Sequence, residues 1–201
     1  MKVEKDVNTF LGINVTQTDG TMMMNQPGLI KKVLDTVGMA DCTPKSTPAN
    51  IRPLGKEENG PERVESWDYA SVIGMLLYIS SNTRPDIQYA VHQCARFTHN
   101  PKKAHEDAVK RICHYLRGTM EKGIQFDVGN DLTLNCYADA DFAGLWGVED
   151  SEDSICVKSR TGYLITIGNC PLLWVSKLQT EVALSTLEAE YIALSQSMQD
   201  L

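Results

Sequence analysis

The chain has 201 residues, 42% apolar and 22% charged, with a formal net charge of −7 at pH 7. Such a chain holds one hydrophobic core or two small ones; no apolar run reaches membrane-span length and no signal peptide opens it, so no membrane-spanning helix is expected. The six cysteines (Cys42, Cys94, Cys113, Cys136, Cys156, Cys170) are scattered with no C-x-x-C, which argues against a disulfide framework or zinc site and for reduced thiols in a cytoplasmic or nuclear setting.

Residues 10–26 alternate around Thr18-Asp19-Gly20 and predict a β-hairpin, with Phe10, Leu11 and Ile13 read as core side chains. Pro27-Gly28 opens a helix whose Leu29, Ile30, Val33, Leu34 and Val37 share one face, and Gly38 stops it. Residues 41–63 contain Pro44, Pro48, Pro53 and Pro61 with Gly55, Gly60 and the charged run Lys56-Glu57-Glu58, and read as a linker by composition. Residues 67–81 form a helix carrying Ala70, Ile73, Met75, Leu76, Leu77 and Ile79, too apolar to stand alone, with Gly74 letting a neighbour approach. Pro85 opens another, burying Ile87, Ala90, Val91, Cys94 and Phe97.

A helix over residues 101–117 turns Ala108, Val109, Ile112, Tyr115 and Leu116 inward and sets Lys103, Lys110, His114 and Arg117 along one outward ridge. Arg96, Lys102, Lys103, Lys110, Arg111, Arg117 and Lys122 outnumber Glu106, Asp107 and Glu121 here, so the region is locally positive. Phosphate backbones bind such ridges by counterion release, and a solvated helix face fits the same residues. His92, His99, His105 and His114 lack metal-ligand spacing and read as surface or core histidines.

Leu132, Leu134 and Cys136 alternate with polar residues and predict a strand with one buried face, with Asp139 and Asp141 near its end. Residues 145–157 read as a loop insertion in which Glu149, Asp150, Glu152 and Asp153 are solvated. Residues 158–168 and 171–179 are β-branched or aromatic and bounded by Gly, Asn and Pro, which predicts strand, turn, strand, with 181–184 finishing the third. Ser185-Thr186 caps a final helix on which Leu187, Tyr191 and Leu194 recur, with Glu188 in a capping role and Glu190 riding beyond it. Carboxylates converging from a strand end and a helix repel one another unless a hard divalent cation lies between them. An Asp at a strand end is otherwise a turn residue or a solvated group. Asp139, Asp141 and Gly144 also fill the first, third and sixth places of an EF-hand loop, but Ala143 in the fifth, Asp150 in the twelfth and the flanking strand count against it.

Together YADADFAG (137–144), KSRTGYLITIG (158–168), LLWVSKLQTEVALSTLEAEYIAL (172–194) and NTRPDI (82–87) resemble the Pol polyprotein of copia-class LTR retrotransposons, in which reverse transcriptase is followed by ribonuclease H. The resemblance spans nearly the whole chain. It implies an α+β protein in which residues 1–40 end the polymerase palm and begin the thumb, with 10–13 near nucleic acid. Residues 41–65 would be a linker, 66–122 a helical thumb/connection region, and 130–201 the first half of a ribonuclease H-like fold, with three antiparallel strands and a helix.

The resemblance also implies chemistry. Asp139 aligns with the first catalytic aspartate of ribonuclease H enzymes, and Glu190, in a Glu-apolar-x-Ala-apolar pattern, with the second carboxylate; Asp141 is a further metal-ligand candidate. Two Mg²⁺ ions about 4 Å apart would activate a water and stabilise the leaving 3′ oxygen during hydrolysis of RNA in an RNA/DNA hybrid. The basic ridge of Lys103, Lys110, His114 and Arg117 would deliver the hybrid, and Ser159, Thr161, Ser176 and Gln179 are candidates for 2′-hydroxyl contacts. The remainder of the Pol polyprotein is the other implied partner; no membrane and no small-molecule cofactor is implied. After Glu190 only Asp200 remains to serve as a further aspartate, and the polymerase Tyr-x-Asp-Asp is absent, so this polypeptide alone is expected to have neither activity. A noncatalytic nucleic-acid-binding module and an inactive genomic remnant are the alternatives.

Overall fold

A computed structural model describes residues 9–18, 20–127, 129, 132–147 and 154–201. The acidic residues 149–153 lie outside the described residues. The expected hairpin is present: β1 (Thr9–Phe10), β2 (Ile13–Thr18) and β3 (Thr21–Asn25) form an antiparallel meander, turned at Leu11-Gly12 by two residues with positive φ. A fourth strand, β4 (Ile124–Asp127), completes this sheet by pairing with β3, Ile124 opposite Met24. The stretch between the expected thumb/connection region and the expected ribonuclease H-like half is therefore partly a strand. Gly123 makes this possible, because a side chain there would run into the Met24 carbonyl. Phe10 and Leu11 are 61% and 70% exposed, so the expectation that they are core is corrected; β1 is an edge strand with little packed over it.

The helices form the main core. They are α1 (Pro27–Val37), α2 (Tyr69–Asn82), α3 (Gln88–Ala95, entered through a single 3₁₀ turn at Pro85–Ile87) and α4 (Lys103–Gly118). Gly38, at φ 72°, ends α1 by returning its N–H to the Asp35 carbonyl, as a left-handed C-terminal residue does. Asp68 caps α2, its carboxylate accepting from the Ser71 N–H at 2.6 Å. Ile30, Val33, Leu34, Val72, Leu76, Ile79, Ile87, Val91, Val109, Ile112 and Leu116 interlock with at most 1% exposure each. Burial of a side chain of this size contributes about 1.5–3 kcal/mol, so this cluster dominates the stability. Gly74 is exposed, and a side chain there would meet nothing within 4 Å of its Cβ, so it does not mediate the close packing expected of it.

Two segments acquire a structural role. In 82–87, the buried Arg84 donates to both Asp86 carboxylate oxygens and to the carbonyl and hydroxyl of Thr119, tying the start of α3 to the end of α4. Burial alone would raise the Asp86 carboxyl; the bonds from Arg84 and the Tyr115 hydroxyl outweigh it and hold it below its usual range. The proline-rich stretch after α1 is strapped across the helices: the Lys45 N–H donates to the His114 carbonyl, Arg111 to the Thr47 hydroxyl, and His105 meets the Gly55 carbonyl at 2.8 Å.

The second sheet consists of β5 (Leu134–Asp141), β6 (Arg160–Ile167) and β7 (Cys170–Leu178), antiparallel in that order, followed by α5 (Thr186–Gln199). The strand, strand, strand, helix order is as expected. Residues 181–184 are not strand; β7 closes at Leu178, and the last backbone bond runs from the Gln179 N–H to the Ser159 carbonyl. Leu132 and Leu134 are exposed, so the run into β5 lacks the buried face expected of it. β7 packs against α3, and the Trp174 indole donates to the Ser80 carbonyl at 2.7 Å, docking this sheet on the helices. All six cysteines are free thiols, and burial pushes those of Cys94 and Cys113 up to about 12. No helix among the described residues is long and apolar enough to cross a membrane.

Candidate functional site

Asp139 and Asp141 stand on β5, whose outer edge carries no partner strand among the described residues. Pairing fixes where they point. Asp139 lies opposite Gly162, Tyr137 opposite Leu164 and Asp141 opposite Arg160, and directly opposed residues share a sheet face. That face is turned toward α3. The intervening positions Thr161 and Tyr163 point the other way, toward α5: the Gln179 amide N–H₂ bonds both the Thr161 hydroxyl and the Ala189 carbonyl, and the Tyr163 hydroxyl donates to Asp200 at the helix end. Both Asp139 and Asp141 are exposed, and the Asp141 carboxylate lies so close to Gly144 that any side chain there would collide with it.

The helix divides the two glutamates as their spacing suggests. The Ser185 hydroxyl accepts from the Glu188 N–H at 3.1 Å, and the Glu188 carboxylate accepts from the Leu184 N–H at 2.7 Å, a reciprocal cap. Glu190 is solvent-exposed, because the helix seats itself through Ala189, Ala193 and Ser197. Asp139 and Glu190 thus belong to packed elements but to opposite sides of one sheet. Among the described residues no group of three His, Cys, Asp or Glu side chains is placed to hold a metal ion.

Other expected site residues are also relocated. Ser159, Thr161 and Gln179 are at most 1% exposed. Their polar groups fasten the sheet to its surroundings: the Ser159 hydroxyl accepts from the Ala143 N–H, and Gln179 bridges strand and helix. They have no surface to offer a nucleic-acid groove. Ser176 is half-buried and keeps access to a cleft described below.

On α4 the basic ridge is largely consumed within the protein. Glu106, fully buried, accepts from the backbone N–H groups of Val64 and Glu65 and pairs with Lys103 at 2.7 Å and Lys110 at 3.3 Å, while Lys110 also meets Glu65. Burial by itself would raise the Glu106 carboxyl; the bonds from Lys103, the Glu65 N–H and Lys110 outweigh it and hold it at about 2. His114 is bonded to the Thr43 carbonyl, which leaves Arg117 as the exposed member of the ridge. The signal for this was present in the i, i+3 and i+4 spacing of Lys103, Glu106, Asp107 and Lys110.

The face of the sheet bearing Asp139 opens on a cleft of about 390 Å³ against Pro85, Gln88 and Tyr89, with Tyr137, Trp174 and Ser176 on the sheet side. At one end the Arg160 guanidinium lies 5.3 Å from the Tyr89 ring centroid and 3.5 Å from the Ser176 hydroxyl. Gln88 and Tyr89 carry no signal in the sequence, because nothing local marks two distant segments as walls of one cleft.

Over its whole length the chain is 33% identical to the Retrovirus-related Pol polyprotein from transposon RE1 of Arabidopsis thaliana, and over 95% of it 38% identical to that from transposon TNT 1-94 of Nicotiana tabacum. The chain belongs to the Pol polyprotein family of copia-class retrotransposons. It covers 13% and 14% of the length of those two Pol polyproteins, and 80% of the Uncharacterized mitochondrial protein AtMg00810 of Arabidopsis thaliana, to which it is 30% identical. No family model and no solved structure matches this Pol-family chain.

Proposed function

We propose that this chain is the part of a copia-class Pol polyprotein that joins thumb/connection helices to a ribonuclease H-like sheet, the parent activity being Mg²⁺-dependent hydrolysis of RNA in RNA/DNA hybrids. The observation that carries this reading is a three-stranded antiparallel sheet followed by a helix, with Asp139 near the end of the first strand and Glu190 in the second turn of the helix. Asp139 and Glu190 are the residues proposed to reach the metal in the parent enzyme, with Asp141 beside them. No group of three carboxylate, His or Cys side chains among the described residues is placed to hold a metal ion, so the 201-residue polypeptide is expected to show no hybrid cleavage above background. In a Pol polyprotein carrying this segment, Asp139→Asn and Glu190→Gln are each expected to reduce cleavage of a labelled hybrid on the order of a hundredfold or more while leaving hybrid binding in place. Retained cleavage in both variants would overturn the assignment, and cleavage by the chain itself, abolished by Asp139→Asn, would overturn the expected inactivity.

The noncatalytic nucleic-acid module is the weaker reading. It rests on α4, and two of the cations of that helix, Lys103 and Lys110, are already paired with Glu106, Asp107 and Glu65.

A further inference from the structure

One face of α5 repeats with a coiled-coil period. Leu187, Tyr191, Leu194 and Met198 lie on the helix, Leu184 and Leu201 stand at its two ends, and the series runs at alternating intervals of three and four residues with 46–87% exposure. The side that seats the helix on the sheet is a different one, carried by Ala189, Ala193 and Ser197. An apolar row in strict three-four alternation is the narrow seam by which one helix packs along another, and a contiguous patch of this extent is rarely left in water. Six large side chains at these exposures amount to on the order of 700 Å², close to the roughly 800 Å² that each partner contributes to a stable complex.

The spacing also selects the partner. The series reads the same from either end, so an antiparallel second copy centred between Ile192 and Ala193 sets Tyr191 against Leu194 of the other helix, Leu187 against Met198 and Leu184 against Leu201. This is the self-complementary contact that a two-fold axis requires. Charge selects the orientation. Residues 178–201 contain Glu181, Glu188, Glu190 and Asp200 and no Lys or Arg, and Glu188 and Glu190 border the seam on its two sides. Parallel copies would bring these glutamates together. Antiparallel copies hold the two sets about seven residues apart, roughly 10 Å along the axis and about one Debye length at ordinary ionic strength. We propose that α5 pairs with the α5 of a second copy of this chain through an antiparallel two-helix seam, giving a two-fold symmetric dimer.

Equilibrium sedimentation of the full chain from micromolar to submillimolar concentration tests this. The mass is expected to rise from 22.3 kDa towards twice that value, with the melting temperature rising alongside it. Tyr191→Ser and Leu194→Gln are each expected to weaken the dimer about tenfold or more, because each change is felt twice across the two-fold axis, while in the dilute monomer both variants melt as the unaltered chain does. Ser195→Lys sets a cation at the position that faces Glu188 of the other copy in antiparallel pairing. It is expected to tighten the dimer about fivefold, a gain that Glu188→Gln removes and Glu190→Gln leaves. Removal of that gain by Glu190→Gln instead would show parallel helices and overturn the proposal. A dimer that both ridge variants retain would put the contact elsewhere, and a monomer at every concentration would leave the ridge to a different polypeptide; either result would overturn it too.

Discussion

The helical half and the sheet-and-helix unit use the same composition differently. Between α1 and α4 the large apolar side chains are inside, and even the charged residues are answered: Glu106 by Lys103 and Lys110, Arg84 by Asp86 and Thr119. In the β5–β7 and α5 unit the relation is reversed. Alanines and a serine seat α5 on the sheet, while Leu187, Tyr191, Leu194 and Met198 face solvent at 46–64% exposure. The free edge of β5 and the exposed carboxylates both adjoin this unit. One half is closed on itself and sets the stability; the other carries the chemistry that still faces outward.

The contrast can be broken most forcefully at Glu106. Glu106→Ala leaves the Val64 and Glu65 N–H groups without their partner and takes one of two carboxylates from each of Lys103 and Lys110, and a loss of about 3–5 kcal/mol is expected in urea unfolding. Its proton linkage gives the same residue a pH signature. The folded carboxyl, near 2, lies below its ordinary value of 4.5, so its contribution is fully present above pH 4.5 and is lost as pH falls toward 2. His105, pushed down by burial, adds an earlier loss as pH drops below 6.5. Stability measured from pH 7 to 3 should therefore decline in two stages, and Glu106→Gln should flatten the lower one.

A middle-sized effect is expected at the seam of the second unit. Gln179→Ala removes the bridge between Thr161 and the Ala189 carbonyl and should cost about 1–3 kcal/mol. Hydrogen exchange should then quicken in α5 while α2 and α4 keep their protection; equal loosening of both halves would dissolve the contrast. The smallest effect belongs to the outward ridge of α5. Tyr191→Ser or Leu194→Gln should change the melting temperature little, within about 0.5 kcal/mol, because those side chains are already in water. A large destabilisation there would mean that the ridge is covered.

Much of the fold was legible because local rules agreed with one another. Pro27 and Gly38 bounded α1, the apolar density of residues 67–81 required a core helix, and Ser185 with Glu188 announced a cap. Periodicity failed where it says that a face exists but not which face is covered. Leu187, Tyr191 and Leu194 marked the helix correctly, yet the small residues of α5 are the ones buried, because they let the helix backbone approach the sheet. The site was legible in residue type and order only. Whether Asp139 meets Glu190 depends on strand parity, and the pairing Asp139↔Gly162 turns Asp139 away from α5. Ser159, Thr161 and Gln179 looked like surface polar groups because polar residues usually are, and only the tertiary hydrogen bonds reveal them as interior fasteners.

Under the proposed function, the sheet face bearing Asp139, rather than the basic helix α4, is the one expected to meet nucleic acid. Hydrogen exchange of the chain with and without an RNA/DNA hybrid at low salt tests it directly. Slowed exchange is expected across residues 137–141 and 160–164 and in the first turn of α3, with α4 unchanged. Protection confined to α4, with none on that sheet face, would contradict it.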